Sequence, residues 1–232
     1  MLEATTPLAA IRAIAADYDG TLAENDLVPP STVAALERFK ASGRQLILVT
    51  GRHLPDLQQV FPDLHLFDIA VLENGGLLYF PATGETRLLA EPPSNEFIAR
   101  LHARGVDELA IGRTIVATHT GHHAIIRQTI DEIAPGLEII LNTDALMVLP
   151  AGVDKASGLA AALTHLALPN SAVAAIGDAE NDIVFLKSAG HAVAVANALP
   201  GVKAIAHRVT AGARGAGVEE LIAAILAPAA PR

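Results

Sequence analysis

The chain of 232 residues carries 16 Lys and Arg against 25 Asp and Glu, a formal charge of −9, with 51% hydrophobic and 18% charged residues. That composition supports a sizeable folded core, excludes the low-hydrophobicity signature of disorder, and offers no basic cluster for nucleic acid. Cysteine is absent, which excludes disulfides, thiolate metal sites and cysteine nucleophiles.

The first residues have no basic n-region, and their apolar stretch is interrupted by Arg12. No stretch approaches the roughly 18 uncharged apolar residues of a spanning helix, so the expectation is a cytoplasmic protein without a signal peptide or membrane contact. Residues 11–18 form a short apolar run of the kind that suits a strand buried on both faces, ending at Asp17-Tyr18-Asp19-Gly20-Thr21. A helix is expected from Ser31 as N-cap, through Val33, Leu36 and Phe39, to a stop at Gly43. The strand 45–50 then ends in Gly51-Arg52, a short helix starts near Pro55, and the strand 69–72 runs into Glu73-Asn74-Gly75-Gly76. After a gap come a helix over 155–166, a strand over 172–176, a helix over 180–187, a strand over 192–195 and a helix over 218–226 before an Ala/Pro-rich tail expected to fray. This alternation predicts an α/β fold with a doubly wound, Rossmann-like parallel-sheet core. Residues from about 80 to 150 break the pattern, with strand-like 76–80 and 85–89, a helix over 94–104, strand-like 112–119, a helix near 121–133 and strands over 138–149; 81–150 reads as a small inserted α+β cap, which leaves 1–80 and 151–232 as the core.

Four clusters at strand ends carry chemistry. Asp17 and Asp19 place two carboxylates beside a Gly-Thr turn, a set able to supply a nucleophile, a proton-transfer group and an anion cradle. The Thr50 hydroxyl and the amides of Gly51 and Arg52 are placed to hold a phosphate oxygen, although Thr-Gly after a strand also reads as a plain helix-start turn. Lys155 follows an N-cap residue, Asp154, so its charge opposes the helix dipole unless something anionic compensates, the other reading being a solvated lysine. Asp178-Ala179-Glu180-Asn181-Asp182 follows a buried strand, and such an oxygen-rich group either caps a helix or, with Asp17 across an adjacent strand, suits magnesium. All four fall where a doubly wound sheet presents a ligand site.

In this order the four clusters resemble the motifs of the haloacid dehalogenase superfamily of phosphohydrolases, over about residues 11–80 and 150–227. The insert lies between the second and third motifs, the cap position of the Cof-type (type IIB) branch, and its small size is similar to that of phosphoglycolate and sugar-phosphate phosphatases. The resemblance implies hydrolysis of a small phosphomonoester with Mg2+ as cofactor. Asp17 would attack phosphorus to form an aspartyl-phosphate, while Asp19 would protonate the leaving oxygen and then activate water. Thr50, Gly51, Lys155 and Asn181 would hold the phosphoryl group; Asp17, Asp178, Asp182 and the backbone carbonyl of Asp19 would serve the metal. Tyr18, between the two aspartates, is expected to pack. Two other readings stand beside this one: a phosphoacceptor or phosphate-binding regulatory protein without turnover, against which Asp19 and the cap argue, and phosphoryl transfer to a second substrate.

The stretch 82–150 holds five Arg, no Lys and nine acidic residues, a net charge of −4 that disfavours a polyanionic substrate. His119, His122 and His123, with Arg113 and Arg127, are candidates to reach a substrate when the cap closes, or else form a solvated loop. Arg52 is a candidate substrate contact in the core. Asn74 and Gly75, at the entry to the cap, either touch the leaving group or hinge the cap.

Overall fold

The buried apolar run before Asp17 forms β1 (Ala13–Ala16), every residue of which is inaccessible to solvent. The computed structural model describes residues 7–228. After β1 come α1 (Pro30–Ala41), β2 (Gln45–Val49), α2 (Leu54–Val60), β3 (Ile69–Leu72), β4 (Leu77–Phe80) and β5 (Glu85–Leu88). Then follow α3 (Asn95–Ala103), β6 (Ala110–Ile111), β7 (Val116–His119), α4 (His123–Ile133), β8 (Leu137–Asn142) and β9 (Ala145–Pro150). The chain returns through α5 (Lys155–Leu166), β10 (Val173–Gly177), α6 (Ile183–Ser188), β11 (His191–Ala194), α7 (Pro200–Ile205), β12 (Arg208–Val209) and α8 (Arg214–Leu226).

The large sheet has the order β12-β11-β10-β1-β2-β3-β4-β5, parallel from β12 to β3 and antiparallel for the last two strands. Ala16 lies opposite Ile176 on β10 and Leu48 on β2, so Asp17, Thr50 and Asp178 leave three adjacent strands at the same edge. Strands this deeply buried read as continuous apolar runs, which is why they were visible in the sequence.

The cap is a four-stranded antiparallel sheet, β6-β7-β9-β8, with α3 and α4 on one face. Phe97, Leu101, Ile126 and Ile130 pack there against Val116, Leu146 and Val148. Side chains alternate along a strand, so Ile115, Ala117, Met147, Leu149 and Ile140 form the opposite face. That face closes on the core: a Cβ added to Gly51 would lie 3.4 Å from Met147 Sδ.

Several elements differ from expectation. Glu85–Leu88 joins the large sheet through the β4–β5 hairpin rather than the insert; as an edge strand with mostly exposed side chains it carries no apolar run to mark its membership. Ser31 does not cap α1, which starts at Pro30 behind Pro29 with no side-chain cap; a proline at N1 has no N–H to satisfy and its fixed φ already suits the helix. The segment 180–187 opens as a 3-10 turn over Glu180–Asp182 before α6, and the last helix starts earlier, at Arg214. The fraying expected of the tail falls largely on residues 229–232, and the leader reading rests in part on residues 1–6; both lie outside the described residues. Among the described residues no helix is long and apolar enough to cross a membrane.

Candidate active site

Asp17 follows β1 and is 4% exposed, its backbone N–H donating to the Ile176 carbonyl at 3.0 Å. Lys155 opens α5 behind the Asp154 capping box, and its buried ammonium donates to Asp17 Oδ1 and to Asp182 Oδ1, both at 2.6 Å. The anionic compensation that its place in the first turn demanded is therefore met from two neighbouring loops. Asp182 is fully buried, its second oxygen accepting from the backbone N–H groups of Asp178 at 2.8 Å and Ala179 at 3.0 Å. Asp178 Oδ1 accepts from the Thr21 hydroxyl at 2.9 Å. Gly20, at φ +79°, allows this approach: a Cβ there would come within 2.3 Å of the Asp178 carboxylate.

Asp17, Asp178 and Asp182 thus converge, each offering an oxygen within 4.8 Å of the others, against one ammonium. Burial raises the Asp17 carboxyl well above its ordinary pKa, the Asp182 charge adds to this, and Lys155 opposes it. Asp178 is pushed up to about 6, first by burial and then by Asp182. Burial works against the charge on Lys155, but the two aspartates outweigh it and the ammonium holds its proton more tightly than usual. An all-oxygen set with excess negative charge suits a hard divalent cation, and magnesium bound there would reverse the upward carboxyl shifts.

The metal-free protein carries a testable signature of this imbalance. Asp178 gives up its proton near 3.8 in the unfolded chain but near 6 in the fold, so the native state binds more protons in that window. Stability contributed by this group is therefore lost as pH rises through it, and Asp17 acts in the same direction. Mg2+ is expected to raise the melting temperature more at about pH 7.5 than at about pH 4.5. Thermal melts with and without Mg2+ check this, and equal shifts at both pH values would contradict it.

The Asp19 side chain points elsewhere. Arg52 grips it with two hydrogen bonds, Nε to Oδ2 at 2.8 Å and Nη2 to Oδ1 at 2.6 Å, and also bonds Asp26. The guanidinium lies 5.2 Å over the Tyr18 ring, whose hydroxyl donates to the Asp26 carbonyl at 2.8 Å. Tyr18 is buried as expected, and burial pushes its hydroxyl up to about 12. The converging side chains are thus Asp17, Asp178 and Asp182, with Asp19 paired to Arg52.

Thr50 is buried at the end of β2, its Oγ1 accepting from Arg52 N–H at 3.1 Å and its carbonyl from Asn74 N–H at 3.0 Å. Asn181 Nδ2 donates to Asn74 Oδ1 at 3.1 Å, while Asn74 Nδ2 and Asn181 Oδ1 are buried with no hydrogen-bond partner among the described residues. These two side chains and Ile140 of the cap line a cavity of about 210 Å³. Gly75, at φ +110°, passes so close to the Asp154 carbonyl that a Cβ would sit 1.9 Å from it.

His119 and His122 hydrogen-bond one another, Nε2 to Nε2 at 2.8 Å, and His119 Nδ1 accepts from Gly121 N–H at 3.1 Å. His119 lies two residues beyond Ala117 on the core-facing side of β7, whereas His123 is exposed at the start of α4. The cap arginines are engaged away from the centre: Arg113 donates to Thr86 at 2.6 Å and Arg127 pairs with Asp131 at 3.6 Å. Sequence reasoning missed Thr21, Asp26, Met147 and Glu73. Thr21 lay within the first motif; for Asp26 and Met147 there was no local signal, and for Glu73 the one hint was a carboxylate directly after a buried strand.

A profile of the haloacid dehalogenase-like hydrolases matches residues 14–105 and 108–222. The phosphoglycolate phosphatase of Methanothermobacter thermautotrophicus is 30% identical over 226 residues, covering 91% of this chain and 97% of its own. Phosphoglycolate phosphatase 2 of Saccharolobus solfataricus is 32% identical, covering 92% and 91%. Among solved structures, a haloacid dehalogenase-like hydrolase from Bacteroides thetaiotaomicron shares the fold at a TM-score of 0.77 and 21% identity, covering 93% of this chain and 100% of that one. A subclass IIB sugar phosphatase superposes at 0.73 with 22% identity, covering 90% and 96%. With the profile spanning the large sheet and the cap, and full-length relatives at this identity, the chain belongs to the haloacid dehalogenase-like hydrolases.

Proposed function

We propose that the protein is a Mg2+-dependent phosphatase of a small phosphomonoester, phosphoglycolate or a sugar phosphate, acting through an aspartyl-phosphate at Asp17. The observation that carries this reading is the buried Lys155 ammonium 2.6 Å from both Asp17 and Asp182, inside a cluster of three carboxylates at the strand ends. The curated relatives at 30% and 32% identity, both phosphoglycolate phosphatases, support the substrate class.

In this mechanism Asp17 attacks phosphorus as the P–O bond to the leaving group breaks, and Asp19 gives its proton to the departing oxygen. Asp19 then takes a proton from water as that water attacks the aspartyl-phosphate, releasing phosphate and restoring Asp17. Asp19 acts only after Arg52 loosens its two-pronged grip. Lys155, the Thr50 hydroxyl, the Gly51 amide and Asn181 hold the phosphoryl oxygens, where positioning and positive charge supply most of the rate. Asp17, Asp178 and Asp182, with the Asp19 carbonyl, would hold Mg2+, which when bound would further neutralise phosphoryl charge. The apolar underside of the cap, Met147, Ala117 and Ile140, excludes bulk water.

Phosphate release from a panel of phosphomonoesters, with Mg2+ and with excess chelator, tests this proposal. Release concentrated on phosphoglycolate or one sugar phosphate and abolished by chelator is expected. Equal release in chelator, or no release from any compound, would overturn it.

A further inference from the structure

Glu73 is 2% exposed at the end of β3 and takes no part in the chemistry proposed above. Its backbone is left-handed, φ +51°, and Asn74 follows at +54° and Gly75 at +110°. Two successive non-glycine residues in that region persist only where surrounding contacts hold them. Here the contacts run to every cluster around the site except the loop after β1. Glu73 N–H donates to the Arg52 carbonyl at 3.1 Å and Asn74 N–H to the Thr50 carbonyl at 3.0 Å. Asn74 Oδ1 holds Asn181, and Gly75 lies against the Asp154 carbonyl that starts the Lys155 helix.

The Glu73 carboxylate reaches the other way, into the cap. It accepts from Arg113 N–H at 3.1 Å, Thr114 N–H at 2.7 Å and the Thr114 hydroxyl at 2.9 Å, all in the loop between β6 and β7. Thr114 is fully buried, and the loop fits so tightly that a Cβ on Gly76 would meet its Oγ1 at 1.9 Å. A cavity of about 300 Å³ lies between this loop and the start of α2, with Glu73 in its wall.

We propose that Glu73 is a positioning residue that clasps the β6–β7 loop of the cap to the turn holding Thr50, Arg52, Asn181 and the start of α5. Cap closure and the placement of the phosphoryl-binding groups are thereby set by one three-residue turn. The clasp is independent of the reaction; its kinetic consequence rests on the phosphatase reading.

The chemistry of the clasp requires a carboxylate. Three donors converge on two oxygens, and the two backbone N–H groups cannot turn away, so an amide NH2 in place of one oxygen faces a donor with a donor. Glu73→Gln is expected to release the loop and lower the closed fraction, raising KM about tenfold while kcat at saturation stays within about threefold. A purely structural role would lower the active fraction, and with it kcat, without moving KM. Thr114→Val removes one donor from the cap side and is expected to shift KM in the same direction by less. Amide hydrogen exchange reads the clasp without any substrate: Arg113 and Thr114 are expected to exchange about tenfold faster in Glu73→Gln, with β1 and β10 unchanged. Unchanged exchange at both amides in both variants would overturn the proposal, as would an unchanged KM with kcat reduced. A wild-type protein with no turnover would sink the phosphatase reading alone, leaving the exchange result to decide the clasp.

Discussion

In the proposed mechanism Asp17→Asn is expected to abolish phosphate release, by about 10⁴-fold or more, because the amide oxygen is too weak a nucleophile to displace the leaving group from phosphorus. The fold is expected to survive. Asparagine has the same shape, its carbonyl oxygen can accept the Lys155 hydrogen bond now made to Asp17 Oδ1 at 2.6 Å, and the substitution removes one of three mutually repelling carboxylates, of which Asp17 and Asp182 are buried and Asp178 partly so. Since burial is the largest contribution raising the Asp17 pKa, the charge is costly at neutral pH, and the metal-free variant is expected to melt no lower than wild type. Turnover assays paired with thermal melts check both halves. Retained turnover in the folded variant would remove Asp17 from its role.

Lys155→Met acts on the same cluster from the other side and is expected to cost both activity and stability. It leaves Asp17 and Asp182, with relative exposures of 4% and 0%, without the cation each now contacts at 2.6 Å. Removing one partner from a buried ion pair costs about 3–5 kcal/mol, because the remaining charge stays desolvated. The loss is expected to be greater near pH 8 than near pH 5, where the already raised carboxyl groups escape part of the repulsion by taking protons. Mg2+ should restore part of the stability but not the turnover. Urea unfolding at the two pH values, with and without Mg2+, measures this; a pH-independent loss under about 1 kcal/mol would show that Lys155 does not balance the cluster.

These residues were legible because each sits where local sequence rules are strongest. The parallel strands β1, β2 and β10 are buried on both faces and so announce themselves as apolar runs, and the residues directly after them must lie at the sheet edge that binds ligands. Lys155 stood out because a cation after an N-cap conflicts with the helix dipole, and the structure resolves that conflict with Asp17 and Asp182. What stayed hidden depends on elements meeting in space. Arg52 reaching Asp19 and Asp26, Met147 lying over Gly51, and Glu73 reaching Arg113 and Thr114 are pairings between segments that no periodicity connects. The edge strand β5 reads as a strand but is assigned to the insert for a related reason: a mostly exposed strand with charged residues such as Glu85 and Arg87 carries no sign of which sheet it joins until its partner strand is known.

The covalent step is tested most directly by quenching the enzyme during turnover, digesting it, and locating any added phosphoryl group by mass spectrometry. Borohydride reduction beforehand converts an acyl-phosphate to the alcohol and marks its position. A phosphoryl group, or the reduced side chain, at position 17 and nowhere else is the expected result; turnover that proceeds at full rate with Asp17 never modified would contradict the account.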